Sequence, residues 1–427
     1  MSLIFTNKEE FNREIALHIK NDFDAVEPYV DKLLSYLSSK TVCIVVLDNV
    51  DLYEDEHLET TVFSEGLALS KRVHCNVIVS LRDRTYVRHR TDSSFDAYEL
   101  RKLWLDPPPF RTVLSSRLTY SRKILQGKSA QIYLSNGIML KVDDLSVFFD
   151  IVQRSTLQGS AGEYIECVSD LNIRKGLNLI TNFLTSGHIQ ADRAISSYLK
   201  GNTRYYFPFH EIFKGTMLGQ WRHYKEDRSD CLNLFDSRLG YHKTRLLRMH
   251  ILMHLTFCAR HRESIEVSVE DCILLFSKTG ASEENIITTM KYLQKNALIR
   301  STSANEIDNF ETVVATRSGG YYAKTLSHSF PYIEACMLDT SIDDLDTWNE
   351  LSELTSRIEN ESGNIVNRMR LRSDRLKLFL DYLLNIENAA MDQLHNHEHI
   401  RAIPSIQNES LQEAQLAIEK SKRNYSH

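Results

Sequence analysis

The sequence has little glycine or proline, 15 and 7 residues in a chain of 427, and no two cysteines stand at CxxC spacing. This low content excludes a collagen-like or low-complexity chain, while 42% hydrophobic and 25% charged residues predict a globular protein. The seven cysteines are scattered and odd in number, which argues against a disulfide framework or a zinc ribbon. They favour a reducing compartment.

The sequence also lacks a secretory signal and a long apolar run. Acidic residues stand where a signal peptide needs positive charge, and the apolar run at 42–47 is far too short to cross a bilayer. We therefore expect a cytoplasmic protein with no membrane partner. A net charge of −6, from 51 basic and 57 acidic residues, excludes a global attraction to nucleic acid and leaves only local contacts.

Two β-branched runs, at 42–47 and 75–80, are separated by a helical segment and preceded by helical spacing over 9–39. This order predicts a strand–helix–strand unit with buried parallel strands. From about 97 to 235 we expect no further strand but several helices, at Leu145–Leu157, Ile173–Leu184 and Ala191–Leu199. The triple proline at 107–109 is the expected hinge between the two regions.

Residues 243–327 predict three helices, at Arg245–His261, Val269–Ser277 and Ala281–Asn296, followed by a β-hairpin and a turn at Ser318-Gly-Gly. Three helices and a hairpin predict a winged helix. Beyond Thr340 we expect charged helices that fray into a polar end after Pro404. Their clearest apolar stripe consists of Leu376, Phe379, Leu380, Leu383 and Leu384.

Asp48 follows the first strand directly, in the sequence Leu-Asp-Asn-Val-Asp. A carboxylate at the carboxyl end of a parallel strand can hold the Mg²⁺ of a nucleoside triphosphate through water. The alternative is that Asp48 opens a turn or caps a helix. Residues 82–128 carry eleven Lys or Arg against five Asp or Glu, so this basic segment suits phosphate, or is a solvated surface.

Taken in order, LDNVD, VIVSLR, a helical region with Ser169-Asp-Leu-Asn-Ile-Arg174, and a winged helix resemble the AAA+/STAND class of P-loop NTPases, especially its origin-recognition-complex-like bacterial members. The resemblance implies a mainly α chain with a partial parallel α/β core (1–106), a helical lid (107–240), a winged helix (241–340) and a helical extension (341–427). It also implies ATP and Mg²⁺ as cofactors.

The same resemblance assigns roles to individual residues. It implies that Asp48 is the Walker B ligand of Mg²⁺ through water, that Asp48, Asn49, Arg82 and Arg174 bind nucleotide, and that Arg174 is the sensor 2 arginine. Arg84 or Arg88 would serve as an arginine finger toward a neighbouring subunit.

Two features of the sequence depart from the motif pattern of this family. No GxxxxGK[ST] occurs and the first glycine is Gly66, so the phosphate cradle is missing and we expect an N-terminally truncated chain. The residue after Asp48 is Asn49, where many relatives have the glutamate that activates water; Asp51 could substitute as the catalytic carboxylate. We therefore expect little autonomous ATPase activity, and either self-association or a partner protein that supplies the missing half.

The predicted winged helix offers a second interpretation, DNA binding or protein packing without any nucleotide. Residues 245–325 carry ten Lys or Arg against nine Asp or Glu, which is a weak electrostatic footprint. If DNA is bound, its contacts would be Lys291, Lys295, Arg317 and Lys324. Of two histidine pairs at i, i+4 spacing, we expect His250 and His254 in the core, and His395 and His399 in an exposed tail.

Overall fold

The computed structural model describes residues 8–425 apart from 52–54, 90–100, 134–138, 143–144, 191–193, 198–204, 241, 262–265, 304–305, 393 and 395–396. The chain divides into two compact units, 1–104 and 105–427. The described part is mainly helical, as the sequence predicts, and contains three small sheets. The predicted boundaries at 240 and 340 both fall inside the second unit, and the four-domain division stays a prediction.

The first unit contains the expected strand–helix–strand arrangement. Its elements are α1 (Lys8–Asp24), α2 (Glu27–Lys40), β1 (Ile44–Leu47), α3 (Glu56–Val73), β2 (Asn76–Val79) and α4 (Asp83–His89). Asp55 caps α3 by accepting hydrogen bonds from the backbone N–H groups of His57 and Leu58. The crossover through α3 brings β1 and β2 side by side in parallel, with Ile44 opposite Asn76.

The strands are not buried on both faces, which corrects the prediction drawn from their β-branched runs. Burial alternates along both strands, and Ile44 and Val46 are 55% and 59% exposed. Helices α2 and α3 lie against one another and α3 packs on β2. Among the described residues, helices pack on one face of this sheet, and the apolar side chains of Ile44 and Val46 on the other face are exposed.

The second unit is built almost entirely from helices. Its elements are α5 (Phe110–Leu125), β3 (Ala130–Tyr133), β4 (Met139–Val142), α6 (Ser146–Leu157), α7 (Gly159–Ser169), α8 (Ile173–Thr185), α9 (Phe209–Leu218), α10 (Leu247–His261), β5 (Val267–Ser268), α11 (Val269–Phe276), α12 (Glu283–Lys295), β6 (Ile299–Ser301), β7 (Thr312–Ala315), α13 (Arg317–Lys324), α14 (Phe330–Met337), α15 (Leu345–Asn360), α16 (Ile365–Met391) and α17 (Ile403–Tyr425). The predicted helix at 191–199 lies largely outside the described residues.

The expectation of no strand between 97 and 235 is wrong, because β3 and β4 pair as an antiparallel hairpin. The surrounding helices α5 to α9 share one hydrophobic core with the rest of the unit. At Gly176 in α8, an added Cβ would lie 2.4 Å from Cε2 of Phe110, so only glycine lets α5 and α8 approach this closely.

Residues 247–324 place helices α10, α11 and α12 against an antiparallel sheet in the order β5, β7, β6. Ser268 and Ser282 cap α11 and α12 by accepting backbone N–H groups. The turn predicted at Ser318-Gly-Gly is wrong, since these residues lie inside α13. Thr316 caps that helix, and this capping hydroxyl makes a helical start cheaper than a turn.

Up to Tyr425 the chain beyond Pro404 does not fray, which corrects a further expectation. It forms α17, which packs along α16 and buries Ile406, Ala414 and Ile418. Glu387 of α16 fixes the start of α17, because its buried carboxylate accepts the backbone N–H groups of Ala402 and Ile403. Within the described ranges, no helix combines the length and the apolar character that crossing a membrane requires.

Candidate functional site

Asp48 lies exposed at the carboxyl end of β1. Its carboxylate accepts the backbone N–H of Asn49 at 2.9 Å, and Asn49 takes a left-handed conformation with φ 60°. Asparagine tolerates this conformation better than most residues. The turn directs the chain away from the strand and leaves most of the Asp48 carboxylate facing solvent.

Asp51, three residues after Asp48, is buried and joins the ends of the two strands. Its Oδ2 accepts the backbone N–H of Arg82 at 3.1 Å and the hydroxyl of Thr85 at 3.3 Å. The Arg82 Nε lies 3.5 Å from the same oxygen. Asp51 therefore fixes the loop after β1 against the start of α4, and its carboxylate is already engaged within the chain.

The two candidate arginine fingers lie on α4. Arg88 Nη1 contacts Glu59 Oε2 of α3 at 3.4 Å, and the ring of His89 lies 2.7 Å from the same oxygen. The backbone of Arg84 belongs to α4, but its side chain lies outside the described set. Glu59 is buried, so Arg88 helps to neutralise a carboxylate of its own unit.

The side chains at the ends of β1 and β2 fit ATP and Mg²⁺ only in part. In the part of the chain that the structure describes, no three His, Cys, Asp or Glu side chains converge to hold a metal. Mg²⁺ bound to a nucleoside triphosphate needs only one or two carboxylates, because phosphates and water complete its shell. Asp48 fits that limited role, whereas the sequence offers no glycine-rich cradle for the phosphates.

Arg174 belongs to the second unit, where it lies exposed in the first turn of α8. Asn172 caps this helix by accepting the backbone N–H of Lys175 at 3.0 Å. Asp170 and Leu171, in the connection from α7 to α8, both have positive φ, 39° and 64°. The sharp corner sets the direction in which α8 leaves α7 and so positions Arg174.

The corner between α7 and α8 is joined to the start of α13, a junction that the sequence did not predict. Glu166 Oε1 lies 3.3 Å from Nη1 of Arg317, and its Oε2 accepts Nε–H of Arg111 at 2.6 Å. Burial raises the pKa of Asp170, while hydrogen bonds from Thr316 and Ser318 oppose that rise. Arg317, predicted as a DNA contact, thus pairs with Glu166.

The other predicted DNA contacts remain on the surface of the second unit. Lys291 and Lys295 lie exposed on α12, and Arg300 lies exposed on β6. None of the three makes an ion pair with a described residue. Lys324, at the end of α13, has its pKa lowered by partial burial and by the charge of Arg260.

The sequence also did not predict a buried network of charged groups that contacts α12. Nη1 of Arg248 donates to both oxygens of Glu226 at 3.0 Å, and the hydroxyl of Tyr292 donates to the same carboxylate. Burial and this carboxylate raise the pKa of Tyr292 to about 12. The partners are 22 and 66 residues apart in sequence, so no local pattern could have indicated them.

His250 and His254 are buried on α10, as predicted. His399 does not lie in an exposed tail, because it stacks on Phe257 at 4.1 Å and its Nε2 lies 2.9 Å from Nδ1 of His254. His395 lies outside the described residues. The histidines of this region therefore hold the segment before α17 against α10.

Comparison with known proteins identifies no relative: no family model, curated protein or solved structure matches this chain.

Proposed function

We propose that the chain is a regulatory switch protein of the P-loop NTPase class that contributes half of an ATP–Mg²⁺ site and hydrolyses little ATP by itself. The proposal rests on the parallel pairing of β1 and β2, with Asp48 at the carboxyl end of one strand and Arg82 at that of the other. Ligands of open parallel sheets bind at this edge.

Three residues would have separate roles at the carboxyl edge of this sheet. Asp48 is free to hold Mg²⁺ through water, and Asp51 fixes the backbone at both strand ends. The guanidinium of Arg82 is largely exposed, so it can turn toward a phosphate while its backbone stays anchored. ATP and Mg²⁺ would supply the charge that these groups recognise.

The open sheet face supports the idea that another chain completes the site. Ile44 and Val46 in β1, Val42 just before it and Ile78 in β2 are exposed apolar residues on a sheet with only two described strands. Parallel sheets are normally covered on both faces, and open strand edges pair readily with further strands. A second copy or a partner protein would therefore bury this face, and a partner protein would bring the missing phosphate cradle, which this sequence lacks.

The corner between α7 and α8 supports a switch. If Arg174 senses a phosphate, the resulting shift of α8 would act on α13 through Glu166 and Arg317. The order helix, strand, helix, helix, strand, loop, strand over residues 247–315 agrees with the order expected of a winged helix and supports that part of the proposal. A lid that moves a winged helix agrees with the family that the sequence resembles.

Photolabelling with an azido analogue of ATP and Mg²⁺ tests this proposal. We expect the chain to be labelled in the native complex recovered from its own cells, and labelling to fall in Asp48→Ala and Arg174→Ala. Glu65→Ala and Arg117→Ala, which remove exposed charges from α3 and α5, serve as matched controls. Labelling that is absent, or that is equal in all four variants, contradicts the proposal.

A second candidate function is DNA binding through α12, as in winged-helix proteins without a nucleotide. Thr288, Lys291 and Lys295 form an exposed face of this helix, with Arg300 nearby in sequence on β6. A mobility shift with duplex DNA at rising salt tests it. Binding that weakens with salt and falls in Lys291→Gln with Lys295→Gln supports this function, and no binding at low salt excludes it.

A further inference from the structure

Helix α9 is buried apart from one narrow face. Among its ten residues only His210 and Lys214 are exposed, and both point the same way because they stand one turn apart. Neither makes a hydrogen bond or ion pair with a described residue. The most exposed part of this core helix therefore consists of one lysine and one histidine.

The start of α16 brings further cations to the same region. Arg368, Arg372 and Arg375 follow one another at i, i+4 and i+7, so they share a helix face. Arg372 and Arg375 both pair with Glu334 of α14, at 2.7 Å from Nε and 2.9 Å from Nη2. Arg368, one turn earlier, is exposed and has no such carboxylate partner among the described residues.

These groups also interact electrostatically. Burial lowers the pKa of Lys214, and the neighbouring charges of Arg372 and Arg368 lower it further. The pKa of His210 is likewise lowered by burial and by Lys214, Arg372 and Lys420. Helix α14 packs on α9, α16 and α17, which explains why residues from three helices meet here.

Two carboxylates of this region are engaged within the chain. Although burial opposes its ionisation, Arg372, Arg375 and Lys214 hold the pKa of Glu334 below its ordinary value. Glu413 of α17 accepts the backbone N–H of Phe330 at 2.7 Å, and burial raises its pKa. We name Lys214, Arg368 and Lys420, with the neighbouring His210, the α9–α16 cationic surface. Its two lysines and its arginine keep an excess of positive charge.

We propose that the α9–α16 cationic surface binds the phosphate backbone of a nucleic acid strand. All four side chains are exposed, so salt screens their attraction for a single small anion. A polyanion gains more, because each phosphate that contacts a cation releases condensed counterions. This contact carries no base readout, so it fixes a strand in place without selecting a sequence.

The proposal depends neither on the nucleotide role of the first unit nor on α12. The surface lies on α9, α16 and α17, whereas the second candidate function places DNA on Lys291 and Lys295. A strand held here would add a contact that the winged-helix arrangement does not require. The two surfaces can therefore be separated by substitution.

Fluorescence anisotropy of the full chain tests the proposal, with end-labelled single-stranded RNA, single-stranded DNA and duplex DNA as probes at rising salt. We expect binding that weakens with salt. Arg368→Gln and Lys214→Gln should each reduce the slope of log K against log salt by about 0.7 to 0.9, close to tenfold in affinity at roughly 0.1 M salt. The arms with RNA and DNA identify which nucleic acid is preferred.

Arg370→Gln is the matched control, since Arg370 is also exposed on α16 but lies on the opposite helix face from Arg368. Lys291→Gln reports on α12. Affinity and slope should be unchanged in Arg370→Gln, whereas a loss in Lys291→Gln would report binding through α12 instead. The proposal is overturned if no probe binds with salt dependence, if Arg370→Gln matches Arg368→Gln, or if only Lys291→Gln weakens binding.

Discussion

The pair Glu226 and Arg248 allows the sharpest test of how the second unit is held together. Both side chains are nearly inaccessible, with 4% and 5% of their surface exposed. Nη1 of Arg248 also donates to the carbonyl of Asn233 at 2.9 Å, and its guanidinium lies 4.3 Å from the centre of the Tyr292 ring. One ion pair therefore joins the segment around 226–233 to α10 and α12.

Glu226→Gln removes the negative charge and keeps the shape of the side chain. The guanidinium of Arg248 then stays buried without a counter-charge, and breaking a buried pair in this way costs about 3–5 kcal/mol. Arg238 lies 3.3 Å from Glu226 but is more exposed, so water can replace that contact. We expect the free energy of unfolding of the second unit to fall by about 3 kcal/mol or more.

Urea denaturation followed by fluorescence measures this loss, with Glu353→Gln as the control. Glu353 pairs with Arg357 on the surface of α15 at 4.0 Å, and both side chains are more than half exposed. The control should cost under about 0.5 kcal/mol. Arg248→Met combined with Glu226→Gln should cost less than the two single changes together, because the uncompensated charge is gone. If Glu226→Gln costs no more than Glu353→Gln, the reasoning is refuted.

Three further predictions concern single positions in the second unit. Gly319→Ala should lower the free energy of unfolding by about 1–3 kcal/mol, because the added Cβ would lie 2.0 Å from the carbonyl oxygen of Leu298. Gly320→Ala should raise it by up to about 1 kcal/mol, because a Cβ there meets nothing within 4 Å. Thermal unfolding distinguishes the two signs. Burial opposes ionisation of Asp343, but Tyr382, His242 and Arg245 outweigh it and lower the pKa of this carboxyl to about 2. The ionised form therefore stabilises the fold above about pH 4, and this contribution is lost as pH falls through 2. The difference in urea midpoint between the unchanged protein and Asp343→Asn should shrink over that pH range. Arg317→Gln should cost under about 1 kcal/mol in urea unfolding, because the pair with Glu166 is half exposed and Arg111 still neutralises the carboxylate; a cost above about 2 kcal/mol would contradict this account.

The helices were predictable where apolar residues recur at helical spacing and a capping side chain precedes them. The expected helix at 269–277 begins after Ser268 and ends at Phe276, and that at 173–184 begins after Asn172. In contrast, α17 has few apolar residues, and Ile406, Ala414 and Ile418 form a thin seam among polar ones. Its burial depends on α16, which no pattern within residues 403–425 reveals.

The sequence contains a signal for the hairpin of β3 and β4, although we predicted no strand in this region. Asn136-Gly137 stands between two short runs rich in apolar residues, and this dipeptide is a strong indicator of a two-residue turn. The open face of β1 left no such signal. A run of β-branched residues indicates a strand that can be buried, but whether a second layer covers it depends on the rest of the molecule.

The candidate site was likewise predictable only in part. The position of Asp48 at a strand end follows from the sequence, because the strand and its direction were predictable. The occupation of Asp51 by Arg82 and Thr85 does not follow, since it depends on where two loops meet. Carboxylates of one short motif thus receive different roles, with Asp48 free for a ligand and Asp51 fixed within the fold.

Arg317 shows how the two candidate functions of the second unit constrain each other. Its guanidinium can contact a phosphate of DNA or pair with Glu166 at 3.3 Å, and one fixed geometry does not serve both. DNA that recruits Arg317 would therefore weaken the tie between the α7–α8 corner and α13. By thermodynamic reciprocity, any ligand of Arg174 that strengthens this tie must weaken binding of such DNA by the same factor. A contact made only by Lys291 and Lys295 carries no such coupling, because neither residue takes part in the junction.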